Sequence, residues 1–323
     1  MRKSTVDLML LAVVLIWGAN YTIAKFGMAS LSAEVFTLTR FLLVIPVLAL
    51  LVWYKEKQLG IDKQDIPAFL LASLVGIALY QTLFVASLRY TSASNASLLI
   101  AMSPLFTVLG SVMARKERVT LPLLAGSLLC VLGVVLIKGM GEQGLTFSLD
   151  SMWGDIIAGV ASLLFGLYPF TTTRLSQKYS AVKLTLYTSI FGSVFLGIYS
   201  GADWLQVSWS ELPGAAWGSI LFAAYPVTAY SLVAWNYGME KLGSSRVMPY
   251  MYLVPAAAIV VAMLWIDEKM NGWQWLGAAL ILGGVFLVRQ GNMLLARLKK
   301  QGESAPSPNQ PTTRIQEIQQ EKI

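Results

Sequence analysis

Ten long apolar runs divide this chain, and they limit the fold before any motif is considered. They cover about 6–27, 33–54, 66–87, 93–114, 120–138, 153–173, 182–200, 213–238, 245–266 and 272–290. A helix that crosses a bilayer needs roughly 20 mostly apolar residues. Runs such as FLLVIPVLALLVWY, Phe41 to Tyr54, are apolar on every face. Outer-membrane strands instead alternate polar and apolar over segments of about ten residues. The expectation is an all-α integral membrane protein with ten transmembrane helices. Composition agrees: only 13% of the residues are charged, against about 25% in a soluble domain. Met1-Arg2-Lys3 followed by an apolar run has the outline of a signal peptide, but the run is too long and no convincing small-residue cleavage site follows. It is read as helix 1.

Several chemistries are unsupported from the outset. The chain has one cysteine, Cys130, and no histidine. No internal disulfide can form, and zinc ligation lacks its usual donors. No metal and no cofactor are expected. The net charge of +7 points to lipid rather than nucleic acid once its distribution is followed. With the N-terminus placed in the cytoplasm, most Lys and Arg fall on that side. Among them are Lys55, Lys57, Lys63, Arg115, Lys116, Arg118, Arg174, Lys178, Lys183, Lys241 and Arg246. Lys25, Arg89, Lys138 and Lys269 fall on the other. This is the positive-inside bias, and it predicts both termini in the cytoplasm.

The two halves repeat. At an offset of 148, Asp7, Gly18, Ser32 and Thr37 meet Asp155, Gly166, Ser180 and Thr185. At an offset of 151, Ser94, Pro104, Glu117, Gly126 and Gly133 meet Ser245, Pro255, Glu268, Gly277 and Gly284. Five helices per copy is an odd number, so the second copy enters from the opposite side. The expectation is two inverted five-helix repeats with the substrate site between them near the midplane. The first repeat is assigned to 1–140, an inter-repeat loop to 141–152, the second repeat to 153–290, and a disordered cytoplasmic tail to 291–323.

Polar groups in lipid are costly unless they pair or face a cavity. In helix 1, Trp17, Asn20 and Tyr21 share a face, and Phe165 and Tyr168 form the matching face of helix 6. Asn20 both donates and accepts, which suits a zwitterion; an interhelical bond is its other reading. Helix 3 offers Tyr80, Gln81 and Phe84. Helix 8 offers Tyr225, Thr228 and Trp235, the last near the helix end beside Asn236, where interface anchoring is the simpler account. Asn95 opens helix 4, where it either caps or binds. Pro104 and Pro255 interrupt helices 4 and 9, with Ser103 and Tyr252 close by. Paired interruptions point to a transport site. Apart from Asn236, Pro104 and Pro255, these side chains from Trp17 to Tyr252 are candidate substrate-binding residues.

Arg40 lies about two turns into helix 2. It is assigned a gating or structural role, snorkelling or paired with Glu34 or a carbonyl; a substrate carboxylate is its alternative partner. Pro104, Pro255, Glu117 and Glu268 are placed in the same gating or structural group. Lys25 snorkels at the outer end of helix 1. No run carries an unambiguous mid-span carboxylate, so a proton relay has no obvious carrier. The glycine pairs Gly126/Gly133 and Gly277/Gly284 are expected to let helices 5 and 10 pack closely.

Three stretches together resemble a known family. IWGANYTIAKFG, TRFLL at Thr39 to Leu43, and ASNASLLIAMSPLFTVLGSVMARKERVTLPLLAGSLLCVLGVVLI are similar to the EamA-type branch of the drug/metabolite transporter superfamily. GSSRVMPYMYLVPAAAIVVAMLWIDEKMNGWQWLGAALILGGVFLV resembles the second EamA repeat. The resemblance implies ten helices in two inverted repeats, a bacterial inner-membrane location, and export of amino acids or other small metabolites. It implies a central cavity lined mainly by helices 1, 3, 4, 6, 8 and 9. Trp17-Gly18 stands at the family's W-G motif, Arg40 at its helix 2 arginine, and Glu117 and Glu268 at its paired glutamates. The halves differ: Phe165 stands where Trp17 does, and Thr188 where Arg40 does.

The expected function is a secondary transporter for small neutral or zwitterionic solutes, amino acids first, by alternating access. The alternatives are a broad-specificity drug or nucleotide-sugar-like carrier, or a non-transporting membrane sensor. An enzyme is not expected. The partners are a small-molecule solute and the bilayer; the sequence does not give the oligomeric state.

Overall fold

The computed structural model describes residues 3–90, 96, 99–113, 120–139 and 152–258, and those between 272 and 287 except 274, 278 and 285. Among them the secondary structure is helical throughout. Helix α1 is Lys3–Met28, α2 is Ala33–Glu56, α4 is Ser103–Met113, α5 is Leu121–Gly139, α6 is Met152–Lys178 and α7 is Ala181–Leu205. Helix α3 runs through Ile66–Ser73, a π-helical turn at Leu74–Leu79, and Tyr80–Tyr90. Helix α8 is built the same way, from Gly214–Phe222, a π-helical stretch Ala223–Leu232, and Val233–Leu242. Among the described residues six helices are long and apolar enough to span a bilayer: Ser4–Met28, Ala33–Glu56, Lys63–Leu88, Met152–Ser176, Ala181–Leu205 and Gly214–Leu242. Asn95, Glu117, Glu268 and the tail 291–323 lie outside the described residues.

Local chemistry explains the helix starts. Ser32 is the N-cap of α2 and accepts from the Val35 N–H at 3.2 Å. Its sequence counterpart Ser180 caps α7 and accepts from the Lys183 N–H at 3.2 Å. Each serine satisfies an orphan donor of the first turn. Thr37 and Thr185, one turn further on, each fold their hydroxyl onto the carbonyl four residues back. Asp7 does more than open its helix: its Oδ1 accepts from the Tyr250 hydroxyl at 2.9 Å, tying α1 to the 3₁₀ segment Met248–Tyr252.

Both prolines sit where a helix restarts. The chain turns at Ala101 and Met102, and α4 begins at Ser103, so Pro104 occupies a first turn rather than a mid-helix kink. Proline is tolerated there because that N–H has no intrahelical partner. Pro255 follows the 3₁₀ segment, in the helical piece 253–258. The carbonyl of Ile100, four residues before Pro104, accepts from the Ser162 hydroxyl on α6 at 3.4 Å.

Glycines set the closest crossings. A Cβ on Gly18 would meet the Ala258 nitrogen at 2.8 Å, and one on Gly166 would meet the Ser103 oxygen at 2.5 Å. A Cβ on Gly133 would lie 2.5 Å from the Gly277 oxygen, and one on Gly284 2.5 Å from the Gly126 oxygen. Small residues let helix backbones approach closely in lipid. The expectation that the pairs Gly126/Gly133 and Gly277/Gly284 let two helices pack closely is met by geometry. Along the rest of the bundle α2 lies against α7, α3 against α6, and α1 against α8.

Candidate functional site

The polar faces of α1, α3, α6 and α8 meet in one cavity. It is lined by Trp17, Asn20 and Tyr21 of α1, Arg40 of α2, Gly76, Tyr80, Gln81 and Phe84 of α3, and Phe165 and Tyr168 of α6. Val227, Thr228 and Leu232 of α8 complete it with Met251 and Val254. About 50 Å³ is open to the centre of a water-sized sphere, room for a few waters.

Aromatic rings form one wall. Trp17 lies 4.8 Å from Trp235 and meets Phe165 edge-on at 6.0 Å. Phe165 stacks on Tyr80 at 4.6 Å, and Phe84 continues the series to Tyr21 at 5.3 Å. Trp235 is fully buried and backs this wall. Such offset and edge contacts add about 0.5–1.5 kcal/mol per pair beyond area burial, so the wall is firm. The π-helical stretches of α3 and α8 flank the cavity, contributing Gly76 and Val227. A Cβ on Gly76 would lie 2.2 Å from the Tyr168 ring; glycine is what lets that ring sit against α3. In α8 the looser turn leaves carbonyls to side chains. Thr228 and Ser231 donate to the carbonyls of Ala223 and Pro226, each five residues back, at 2.8 Å.

The polar groups of the cavity are sparsely matched. Arg40 is 1% exposed. Its Nη2 donates to Gln81 Oε1, and its Nε has no hydrogen-bond partner. It neither snorkels nor pairs with Glu34. Among the described residues no carboxylate lies within ion-pair distance of it. Asn20 is 5% exposed, and its Oδ1 has no partner. The Trp235 indole N–H is likewise unmatched.

One boundary of the cavity is hydrogen-bonded. The Tyr168 hydroxyl donates to Asn236 Oδ1 at 3.3 Å, and Asn236 Nδ2 donates to the Thr185 hydroxyl at 3.0 Å. Asn236 in turn lines a wider opening of about 490 Å³, shared with Thr172, Thr173, Gln177 and Glu240. This opening lies at the end of the bundle that carries Lys178 and Lys241.

Comparison with known proteins places this geometry. The model of the EamA-like transporter family matches residues 4–139 and again 152–290. The chain belongs to the EamA family. It is 25% identical over 309 residues to the uncharacterized transporter YyaM of Bacillus subtilis (strain 168), covering 94% of this chain and 100% of that one. It is 28% identical to a protein of Streptantibioticus cattleyicolor named "Probable terminal-alkyne amino-acid exporter", covering 90% of this chain and 95% of that one. An Escherichia coli (strain K12) protein named "Probable amino-acid metabolite efflux pump" is 23% identical, over 86% of this chain and 92% of its own. A solved crystal structure shares the fold with a TM-score of 0.72 at 18% identity, covering 92% of this chain and 99% of that one. This is a multi-pass membrane transporter that handles a small-molecule solute.

Not every candidate side chain of this EamA transporter reaches the cavity. Tyr225 is 38% exposed and lines a separate apolar groove with Met9, Leu51 and Tyr230. Ser103 is buried under Gly166 at the α4–α6 crossing. Tyr252 is buried with Ala101, Cys130 and Ile281. Interface anchoring does not hold for Trp235 and Asn236, which are both buried. Asn236 and Thr185 were missed as a unit. Their signal was present: a repeat-paired threonine and an amide among otherwise apolar helix residues.

Proposed function

We propose that this EamA transporter exports small zwitterionic metabolites, amino acids first, by alternating access around the aromatic cavity. The carrying observation is that one small enclosure holds an aromatic wall, a guanidinium and an unmatched amide oxygen. The wall suits an apolar side group, Arg40 a carboxylate-bearing end, and Asn20 Oδ1 an ammonium. The names of the two amino-acid exporting relatives support the same class. In this reading residues 1–140 and 153–290 are inverted five-helix halves joined by 141–152, and 291–323 is a cytoplasmic tail. The membrane is the bacterial plasma membrane, with both termini inside. The repeat-paired caps, close crossings and π-helical stretches support two related halves. The Tyr168–Asn236–Thr185 chain is the gate at the basic, cytoplasmic end, and the 490 Å³ opening is its vestibule. No described mid-span carboxylate faces the cavity, so proton coupling has no carrier there.

Reconstitution in liposomes tests this. Uptake of a labelled amino-acid panel, with and without a pH gradient, is expected to show flux for at least one member that is insensitive to the gradient. Asn20→Ala with Tyr80→Ala is expected to abolish it. The absence of flux for every solute overturns the transporter assignment of the cavity. Flux that survives both substitutions overturns the site. Flux that follows the gradient overturns the uncoupled mechanism.

A further inference from the structure

Arg40 is the most anomalous group in the bundle. A guanidinium inside a membrane protein pairs with a carboxylate or faces water, because burying an unpaired charge is costly. Here it faces the cavity, and among the described residues its one hydrogen-bond partner is the neutral oxygen of Gln81, with the Phe41 ring 4.9 Å from the guanidinium carbon. A guanidinium presents five donors in a planar fork that fits a carboxylate with two parallel bonds. Gln81 supplies one acceptor to that fork, and Nε is left over. The second half has nothing equivalent, since Thr188 stands at the matching position and folds its hydroxyl onto the Leu184 carbonyl at 2.9 Å.

Resting on the reading of this cavity as the solute site, we infer that Arg40 is the carboxylate receptor and that Gln81 is its stand-in. A solute carboxylate displaces the Gln81 oxygen and takes the Arg40 fork, while the cavity widens beyond its few-water volume and the apolar group of the solute packs against the faces of Trp17, Tyr80 and Phe165. The substrate class is therefore narrower than small polar metabolites. It consists of solutes with a free carboxylate beside an apolar or aromatic group. Neutral amides and esters of the same shape are excluded, because they leave the guanidinium with no more than Gln81 already gives it. The amide of Gln81, freed on binding, is then available to donate to the second carboxylate oxygen.

Binding by the full chain in lipid nanodiscs, followed by calorimetry, tests this. The amino acid that binds most tightly among the twenty is chosen, L-phenylalanine being expected. It is compared with its amide, its deaminated acid and its decarboxylated amine. The amide and the amine should bind roughly 10- to 100-fold more weakly than the amino acid, as losing a hydrogen-bonded charge implies. Arg40→Gln should level these differences, and Arg40→Lys should keep part of them. An amide that binds as well as the amino acid overturns the assignment of Arg40 while leaving the transporter reading intact. A deaminated acid that binds when no amino acid does supports Arg40 and overturns the zwitterion reading. Silence across all twenty amino acids and their analogues overturns both. The comparison of ligands on the unaltered chain does not depend on whether an Arg40 variant folds.

Discussion

Among the described residues charge enters this apolar frame at two buried places, and they are opposite in character. At the basic end, Asp65 is 1% exposed and fully matched. It accepts from Lys178 Nζ at 2.6 Å, from the Tyr179 hydroxyl at 2.8 Å and from Arg174 Nη2 at 3.3 Å. Next to it Lys183 reaches Glu56 at 3.3 Å and the Gln58 carbonyl at 2.9 Å. These bonds join the turn after α2 to the α6–α7 corner. In the cavity Arg40 has, among the described residues, one neutral hydrogen-bond partner, a contact with the Phe41 ring and a donor to spare. A saturated network holds structure; an unsaturated one is kept for something that arrives. The two sites therefore make opposite predictions for function and for stability.

The largest effect belongs to Arg40→Met, which removes the charge and keeps the bulk. Transport in liposomes should fall about 100-fold, the loss expected for one hydrogen-bonded charge. The melting temperature should hold or rise, because replacing a buried, poorly paired charge with an apolar group is commonly neutral or stabilising. A sharp drop in melting temperature with transport retained would turn Arg40 into a second Asp65 and erase the contrast.

Asp65→Ala should do the reverse. Three donors lose an acceptor, with Lys178 keeping only Asp62, so the melting temperature should drop clearly while transport per folded molecule stays near that of the parent. The hydrogen bonds to Asp62 and then Asp65 hold the Lys178 ammonium above the ordinary lysine range. A raised folded pKa stabilises fully below the unfolded value, about 10.4, and the contribution is lost as pH climbs through the raised one. The parent should therefore keep this stabilisation at about pH 9, and its fall at higher pH should be shallower in Asp65→Ala. Loss of transport matching that of Arg40→Met would show that the basic end is part of the solute path.

A smaller effect is expected at the boundary between cavity and vestibule. Tyr168→Phe removes one hydroxyl bond, about 1 kcal/mol or some fivefold in an equilibrium. It should raise labelling of Val227→Cys, whose position lines the cavity behind that boundary, by a maleimide added from the vestibule side, by about that factor. Unchanged labelling would mean that the Tyr168–Asn236–Thr185 chain braces helices and does not gate.

Much of this was legible in the chain itself, for reasons that also explain the gaps. The six long spans were marked by apolar length. Helix α6 outruns its apolar run as far as Lys178 because its last polar turn is held by the Asp62 and Asp65 network. Trp17, Asn20, Tyr21, Tyr80 and Phe165 line one cavity, and helical spacing made their faces readable because it fixes which side chains share a face. The Arg40–Gln81 bond was not legible because the partner lies on another helix, where periodicity carries no information. Trp235 and Asn236 resembled interface residues because NYGMEK follows so closely; packing of α8 against α6 and α7 puts them inside. The π-helical turns left no local signature, since they depend on what packs beside them.

The smallest effect should come from Tyr225. By composition it ranked with Tyr80: a phenol on an apolar helix, deep in a span. Helix α8 nevertheless directs it outward, into the apolar groove beside Met9 and Leu51, while Thr228 three residues on faces the cavity. In the solute reading, Tyr225→Ala should leave the apparent affinity and flux of the preferred amino acid unchanged in liposomes, whereas Tyr80→Ala lowers both. An equal loss at Tyr225 would move the solute path out of the bundle and onto the groove between α1, α2 and α8. The unmatched groups around Arg40 would then have no transported ligand to account for them.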